Sequence, residues 1–311
     1  MQKNSLNIYR ALFKKNVNIT EYLKKERSFL NSSEIIEIAY DLQTGSYIDS
    51  AEKNEAFMRQ YADWTSDIVA RFTGCESKSI LDAGTGEITT FSYVLEALSD
   101  KDIDVIPYCF DISWSRIYAG KAWIRKRFPK NRPVNAFCGD LLHIPFHSNS
   151  IDVVITSHAV EPNGGKETEI LTELLRVSRK WLVLCEPSYE NNSSEGKKRM
   201  DSLGYVKGLP EVIKSSGAKL IDVIPFDHSM NPLNPTHAYI IEVPKHPCTN
   251  QFTDVTFTVP GTDWILDRHD DCYYSKDQGL SYPILSDIPI LKNESAILSS
   301  YKNLALYEKE K

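Results

Sequence analysis

No run in this 311-residue chain approaches the roughly 18–20 consecutive apolar residues that a bilayer-spanning helix needs, so no membrane role is expected. The opening residues, MQKNSLNIYRALFKKNVNITEYLKKE, lack the apolar core of a secretory signal. Cysteine is sparse and scattered. Cys75, Cys109, Cys138, Cys185, Cys248 and Cys272 form no C-x-x-C pair, and several sit in apolar, strand-like runs where a reduced thiol packs as a small hydrophobe. Neither a disulfide framework nor a paired-thiol zinc site is written into that spacing, and the expected setting is reducing and cytoplasmic. Positive charge is in deficit too: 36 Lys and Arg against 42 Asp and Glu leave a formal net charge of −6. Proteins held to nucleic acid through phosphates usually present a basic face, so no nucleic-acid partner is expected. Internal repeats and low-complexity tracts are absent from the sequence.

What is present suffices for a globular core, with 41% hydrophobic residues, 16 Tyr and 5 Trp. Residues 1–75 read as a helical cap. Ile35, Ile36, Ile38, Ala39 and Leu42 fall along one helical face, a break follows at Thr44-Gly45-Ser46, and a longer helix is predicted over 51–72. From Lys78 the pattern changes to short apolar strands alternating with helices. Strands are predicted at 79–82, 105–111, 135–139, 152–157, 181–185, 220–224 and 238–243, with helices at 89–98, 114–127 and 167–179. Such alternation implies a mostly parallel sheet covered on both faces. The Pro- and Asn-rich link at 226–235 is too short for a right-handed crossover, so the seventh strand is predicted to run antiparallel. The α/β unit spans 76–245. Residues 246–311 form a smaller appendage of short strand-like pieces.

Ser79-Ile80-Leu81-Asp82-Ala83-Gly84-Thr85-Gly86-Glu87 is the most informative segment. An apolar strand runs into two glycines two apart, and a helix follows. Glycine allows a sharp turn and close backbone approach to a ligand at the carboxyl end of a strand. Asp82 and Glu87 would repel a pyrophosphate but attract a ligand with a cationic amine. The next strand ends at Phe110-Asp111-Ile112, where an acid can accept both hydroxyls of a ribose. The third ends at Cys138-Gly139-Asp140-Leu141, where Asp140 can accept from an adenine amino group. Two plainer readings stand beside these: Asp82 orients loop amides, or Asp111 caps the helix starting near Ser113.

The run ILDAGTGEITTF (80–91) resembles the first motif of class I S-adenosylmethionine-dependent methyltransferases, and IPFHSNSIDVVITSH (144–158) is similar to the family's fourth, with Asp152 starting the strand. The resemblance covers about residues 50 to 245. It implies a Rossmann-like, seven-stranded, mostly parallel sheet with an antiparallel last strand, and S-adenosylmethionine as cofactor. Asp82, Ala83, Gly84, Gly86, Asp111, Ile112, Gly139, Asp140, Leu141 and Ser157 would hold that cofactor. Ile88 departs from the pattern, standing where many members carry a third glycine.

The loop Thr156-Ser157-His158-Ala159-Val160-Glu161-Pro162-Asn163 follows the fourth strand and in the resembling family faces the departing methyl group. His158 has the right ordinary pKa for a general base, and Glu161 can orient it or act in its place. Alternatively, His158 packs against the cofactor and Glu161 caps the next helix. The Asn/Asp-Pro-Pro-Tyr/Phe pattern that serves nitrogen acceptors is missing, which favours oxygen as the nucleophile. Tyr40 and Tyr47 flank Gly45 and read either as a lid closing over the site or as an ordinary helix end. Asn163 and Arg199 are further candidates for substrate contact, although Lys197-Lys198-Arg199 also reads as a solvated helix face.

Within the tail, Gly279-Leu280-Ser281-Tyr282-Pro283-Ile284 and the following Ile288-Pro289-Ile290 resemble the closing half of a Trm112-like zinc-ribbon module, which implies a hairpin there. The nearby metal donors are Cys248, Cys272, His246 and His269, without the usual pairs, so the expected module is degenerate and metal-free. It would cover a domain edge or mediate self-association as a homodimer. The expected activity is O-methylation of a small polar metabolite such as a sugar-derived cell-surface intermediate. Methylation of RNA or of a protein of translation is the alternative, and a non-catalytic scaffold a third.

Overall fold

The computed structural model describes residues 3–15, 17–26, 32–73, 79–128, 133–244 and 255–300. Helices α1 (Lys3–Lys14), α2 (Ile19–Glu26), α3 (Ser32–Asp41), α4 (Ser46–Lys53) and α5 (Glu55–Thr73) come first. The helix expected over 51–72 is two helices, because Asn54 leaves helical geometry at φ −123°, ψ 41°. The α/β alternation then runs β1 (Ser79–Ala83), α6 (Thr89–Asp100), β2 (Ile106–Asp111), α7 (Trp114–Arg127), β3 (Asn135–Gly139), β4 (Ile151–Ser157), α8 (Glu167–Val177) and β5 (Ser178–Pro187). It continues with α9 (Ser194–Leu203), α10 (Leu209–Ser215), β6 (Lys219–Pro225) and β7 (Thr236–Glu242). Helix α8 stops two residues earlier than the pattern predicts. Ser178 turns extended at φ −73°, ψ 134° and pairs with Ile151, so the chain passes from helix to strand without a loop.

The strand order is β6-β7-β5-β4-β1-β2-β3. β1 pairs in parallel with β2 and β4, and β7 lies antiparallel between β5 and β6. This is the Rossmann-like mixed sheet expected, with its antiparallel last strand. One face buries Ile80, Phe91, Val94 and Leu98 against α5, α6 and α7. The other buries Leu81, Ile170, Leu174 and Ile213 against α8 and α10. Alternation along β1 sends Ile80 and Leu81 to opposite layers, as the two-residue strand period requires.

The tail contributes β8 (Asp267–Arg268), β9 (Cys272–Ser275), β10 (Leu280–Leu285), β11 (Ile288–Leu291) and β12 (Ile297–Leu298). β10 and β11 form an antiparallel hairpin whose turn residues, Ser286 and Asp287, have φ of 51° and 58°. β11 then pairs in parallel with β3, Ile290 opposite Cys138 and Leu291 opposite Gly139. The tail strands therefore extend the central sheet. Phe257 fastens them further, its ring 5.0 Å from Phe137 and 5.3 Å from Phe146. Such aromatic pairs add about 0.5–1.5 kcal/mol each beyond area burial. Of the four tail donors considered for metal, Cys272 is buried, and His246 and Cys248 lie outside the described residues.

Candidate active site

Strands β1 to β5 end on the same edge of the sheet, and each delivers polar side chains there. Gly84 and Gly86 take left-handed φ values of 81° and 63°, which turn the chain from β1 into α6. A Cβ on Gly84 would collide with that of Ala159, and one on Gly86 would lie 2.5 Å from Arg116 Nη2. Ile88, at the family's third-glycine position, is also left-handed at φ 57° and wholly buried. A β-branched residue rarely adopts that geometry, so the loop keeps the glycine conformation at a cost in strain.

Asp111 closes the loop: Oδ2 accepts the Gly86 N–H and Oδ1 the Ser113 N–H, both at 2.9 Å. It does not cap α7. Ser113 does, its Oγ accepting the Arg116 N–H at 3.3 Å. Each Asp111 oxygen retains a lone pair for a ligand hydroxyl. Asp82 is 2% exposed, and its Oδ1 makes no hydrogen bond among the described residues. Burial pushes its carboxyl up to about 7, Thr85 pulls it down, and Asp111 and Glu186 add to the rise. A buried carboxylate oxygen lacking a partner is costly unless a ligand donor meets it.

Two openings flank the loop. The smaller, about 60 Å³, is lined by Gly84, Asp111, Ile112, Gly139, Asp140 and Leu141, together with Asn163. Asp140 uses Oδ1 to accept the Leu142 N–H at 2.9 Å. The larger, about 780 Å³, is lined by Tyr40, Tyr47, Tyr61, Ser157, His158, Glu161 and Thr236, with Phe13 and Ile36 from the helical cap. The Tyr61 hydroxyl and Ser157 Oγ lie 2.8 Å apart. Ala83 is buried within β1 and lines neither opening. Arg199 also lines neither; it donates to Asn234 Oδ1 at 3.3 Å and stacks on Tyr205.

His158 and Glu161 form a pair. His158 Nδ1 lies 2.6 Å from Glu161 Oε2, and Nε2 lies 2.8 Å from Thr236 Oγ1. Burial disfavours the charged imidazole, but the Glu161 hydrogen bond and charge outweigh it and raise the His158 pKa. Burial likewise works against a charged Glu161, yet His158, Tyr205 and Asn234 hold its carboxyl below the ordinary value. Glu161 is thus bonded to His158 and does not cap α8, whose N-terminal cap position is Lys166.

The segment 40–47 lies over the loop. Glu87 is fully buried, and its two oxygens accept the N–H of Gly45 at 3.0 Å and of Ile48 at 2.8 Å. Arg116, 4% exposed, sits 3.8 Å from Glu87 and 3.7 Å from Asp111. Its guanidinium faces the rings of Tyr47 at 4.4 Å and Tyr40 at 5.2 Å. Burial raises the pKa of both phenols, which stay protonated donors. α3 is pinned twice more, by Asp41 to Ser113 Oγ at 2.9 Å and by Glu37 to Lys292 at 2.7 Å. The sequence reading missed Arg116, Thr236 and Glu186, and did not see Glu87 as an anchor. Glu186 alone had a legible signal, an acid ending an apolar strand as Asp82 and Asp111 do.

Asp152, placed by motif, lies at the opposite end of the sheet. It meets Ser79, Arg179 Nε at 3.0 Å and Lys180 at 3.5 Å, a structural cluster.

No protein-family model matches the chain, and no curated protein matches it. Among solved structures, many of similar fold are S-adenosylmethionine-dependent methyltransferases. The complex between the Haloferax volcanii Trm112 methyltransferase activator and a methyltransferase aligns at 16% identity and TM-score 0.49, covering 66% of this chain and 98% of that one. Magnesium protoporphyrin IX methyltransferase from Synechocystis PCC 6803, with bound S-adenosylhomocysteine, aligns at 12% identity and TM-score 0.48, covering 76% and 98%. A methyltransferase from Aquifex aeolicus aligns at 16% identity and TM-score 0.42, covering 57% and 89%.

Proposed function

We propose that this protein transfers a methyl group from S-adenosylmethionine to a hydroxyl of a small, polar molecule. The observation that carries the reading is Asp82 Oδ1, a buried acceptor with no hydrogen-bond partner among the described residues, at the head of a glycine loop that Asp111 closes. When bound, the cofactor supplies an electrophilic methyl on a sulfonium. Asp82 would take its ammonium group, Asp111 its ribose hydroxyls and Asp140 its adenine amine. Gly84 and Gly86, both left-handed, supply the sharp turn that would bring the loop backbone close to it.

The rest falls to the larger cavity. At about 780 Å³ it lies within the ~300–1,000 Å³ range of small-molecule sites, and the helical cap closes part of it. An in-line displacement needs chiefly an acceptor held on axis. Tyr40 and Tyr47 offer rings and hydroxyls for that task. The His158 imidazole, held by Glu161, takes the acceptor's proton at Nε2, the nitrogen now bonded to Thr236.

The test is calorimetric titration of S-adenosylhomocysteine into the wild type and into Asp111→Ala. Micromolar binding that falls at least tenfold in the variant supports the reading. A folded wild type that binds neither S-adenosylhomocysteine nor S-adenosylmethionine overturns it.

A further inference from the structure

Glu186 ends β5 with a side chain that is wholly buried. Its carboxylate collects four donors from one short stretch of a different strand's loop. Oε1 accepts the Thr156 hydroxyl at 2.7 Å and the N–H groups of Ala159 and Val160, each at 3.1 Å. Oε2 accepts the N–H of Glu161 at 3.0 Å. The preceding N–H, that of His158, goes to the Cys185 carbonyl at 3.0 Å, so the end of β5 holds every backbone donor from 158 to 161.

Two features show that this loop is held in a shape it would not keep alone. His158 lies in the left-handed region at φ 54°, which costs a non-glycine residue about 1–2 kcal/mol. A buried carboxylate is itself expensive to desolvate and persists only when hydrogen bonds compensate. Donors at both oxygens also specify the chemistry. A glutamine would present an amide N–H to the Glu161 N–H, which a carboxylate oxygen accepts.

The result is a tight turn in which two side chains three positions apart face one another, His158 Nδ1 to Glu161 Oε2 at 2.6 Å. We infer that Glu186 is the positioning residue of the His158–Glu161 pair: by fixing the 158–161 turn it sets the imidazole's tautomer and aims Nε2 at the larger cavity. Glu186 itself lines neither opening, so it acts on the larger cavity only through this pair. Its importance to catalysis rests on the methyl-transfer reading. The positioning itself does not.

The test is proton NMR of the full chain, following the downfield Nδ1–H of His158. Glu161→Gln assigns the signal by removing it. Glu186→Gln keeps His158 and Glu161 but breaks the turn's anchor, and the signal is expected to be lost. Glu186→Asp keeps the charge, withdraws it by one methylene and covers the case in which the glutamine variant does not fold. It is expected to shift the signal upfield or broaden it. An unchanged signal in either folded variant overturns the proposal, since a merely stabilising Glu186 would leave the imidazole proton where it was. The measurement uses no cofactor, so failure of S-adenosylhomocysteine binding would count against the methyl-transfer reading alone.

Discussion

Glu87 Oε2 accepts the backbone N–H of Ile48 at 2.8 Å, which ties the first turn of α4 to the glycine loop. With the matching bond from Gly45, one buried side chain joins the helical cap to the glycine turn. Hydrogen bonds to a charged group contribute about 1.5–3 kcal/mol. Glu87→Gln retains one acceptor and loses the other. The Gly45 and Ile48 amides should then exchange hydrogen about 10- to 100-fold faster, while amides in β4 and β5 keep their protection. Uniform protection across the variant would refute the tether.

Asp82 is expected to weaken stability where it favours binding. Its folded value of about 7 exceeds the ordinary 3.8, so between those values the folded state holds a proton that the unfolded chain has released. Stability from this group falls as pH rises through that window and stays low above it. Asp82→Asn should therefore melt higher than wild type at pH 8, with the gap closing as pH is lowered from 7 towards 4. The same variant should bind S-adenosylhomocysteine more weakly at pH 8. Melting curves at several pH values, paired with calorimetry, check both halves.

The His158–Glu161 pair carries the opposite signature. A raised histidine contributes stability in full below its ordinary 6.5 and loses it as pH climbs through the raised value. A lowered glutamate contributes in full above its ordinary 4.5 and loses it as pH falls through the lowered value. The wild type's advantage over Glu161→Gln should peak between about 4.5 and 6.5 and shrink on both sides. Urea midpoints measured across that range decide it. A difference that grows steadily above pH 8 would rule the pair out as its source.

Gly84 and Gly165 make a controlled comparison. Both have positive φ, 81° and 87°, but a Cβ on Gly165 meets nothing within 4 Å. Gly165→Ala should cost about 1 kcal/mol from strain alone. Gly84→Ala adds a collision with the Ala159 Cβ and should cost roughly 2–4 kcal/mol. It should also weaken S-adenosylhomocysteine binding at least tenfold. Equal urea midpoints for the two variants would argue against the close approach of the loops.

Strand positions and the acids that end them were legible because burial on both faces leaves short apolar runs, and a charge at a run's end stands out. β3 lies at 135–139 as predicted, and Asp111 and Asp140 line one cleft beside the glycine loop, with Asp82 buried at the end of β1. What could not be read was partnership across sequence distance. Thr236 is 78 positions from the histidine it meets, and nothing local distinguishes it from other strand-opening threonines. Arg116 looks like one more basic residue in α7 until its burial between Tyr40 and Tyr47 is seen. The tail hairpin was foreseen, but its pairing with β3 was not, because hydropathy marks a strand without naming its neighbour.

That pairing bears on how the chain folds during synthesis. β3 ends at Gly139 beside the smaller cleft, and its outer neighbour β11 is translated about 150 residues later. Until then β3 is a naked edge, able to template strand exchange with another nascent copy. At roughly 5–20 residues per second the exposure lasts on the order of ten seconds, long enough for a chaperone to matter. Slower elongation through the last third of the message should therefore lower the soluble yield, by lengthening the time that this edge waits for its partner.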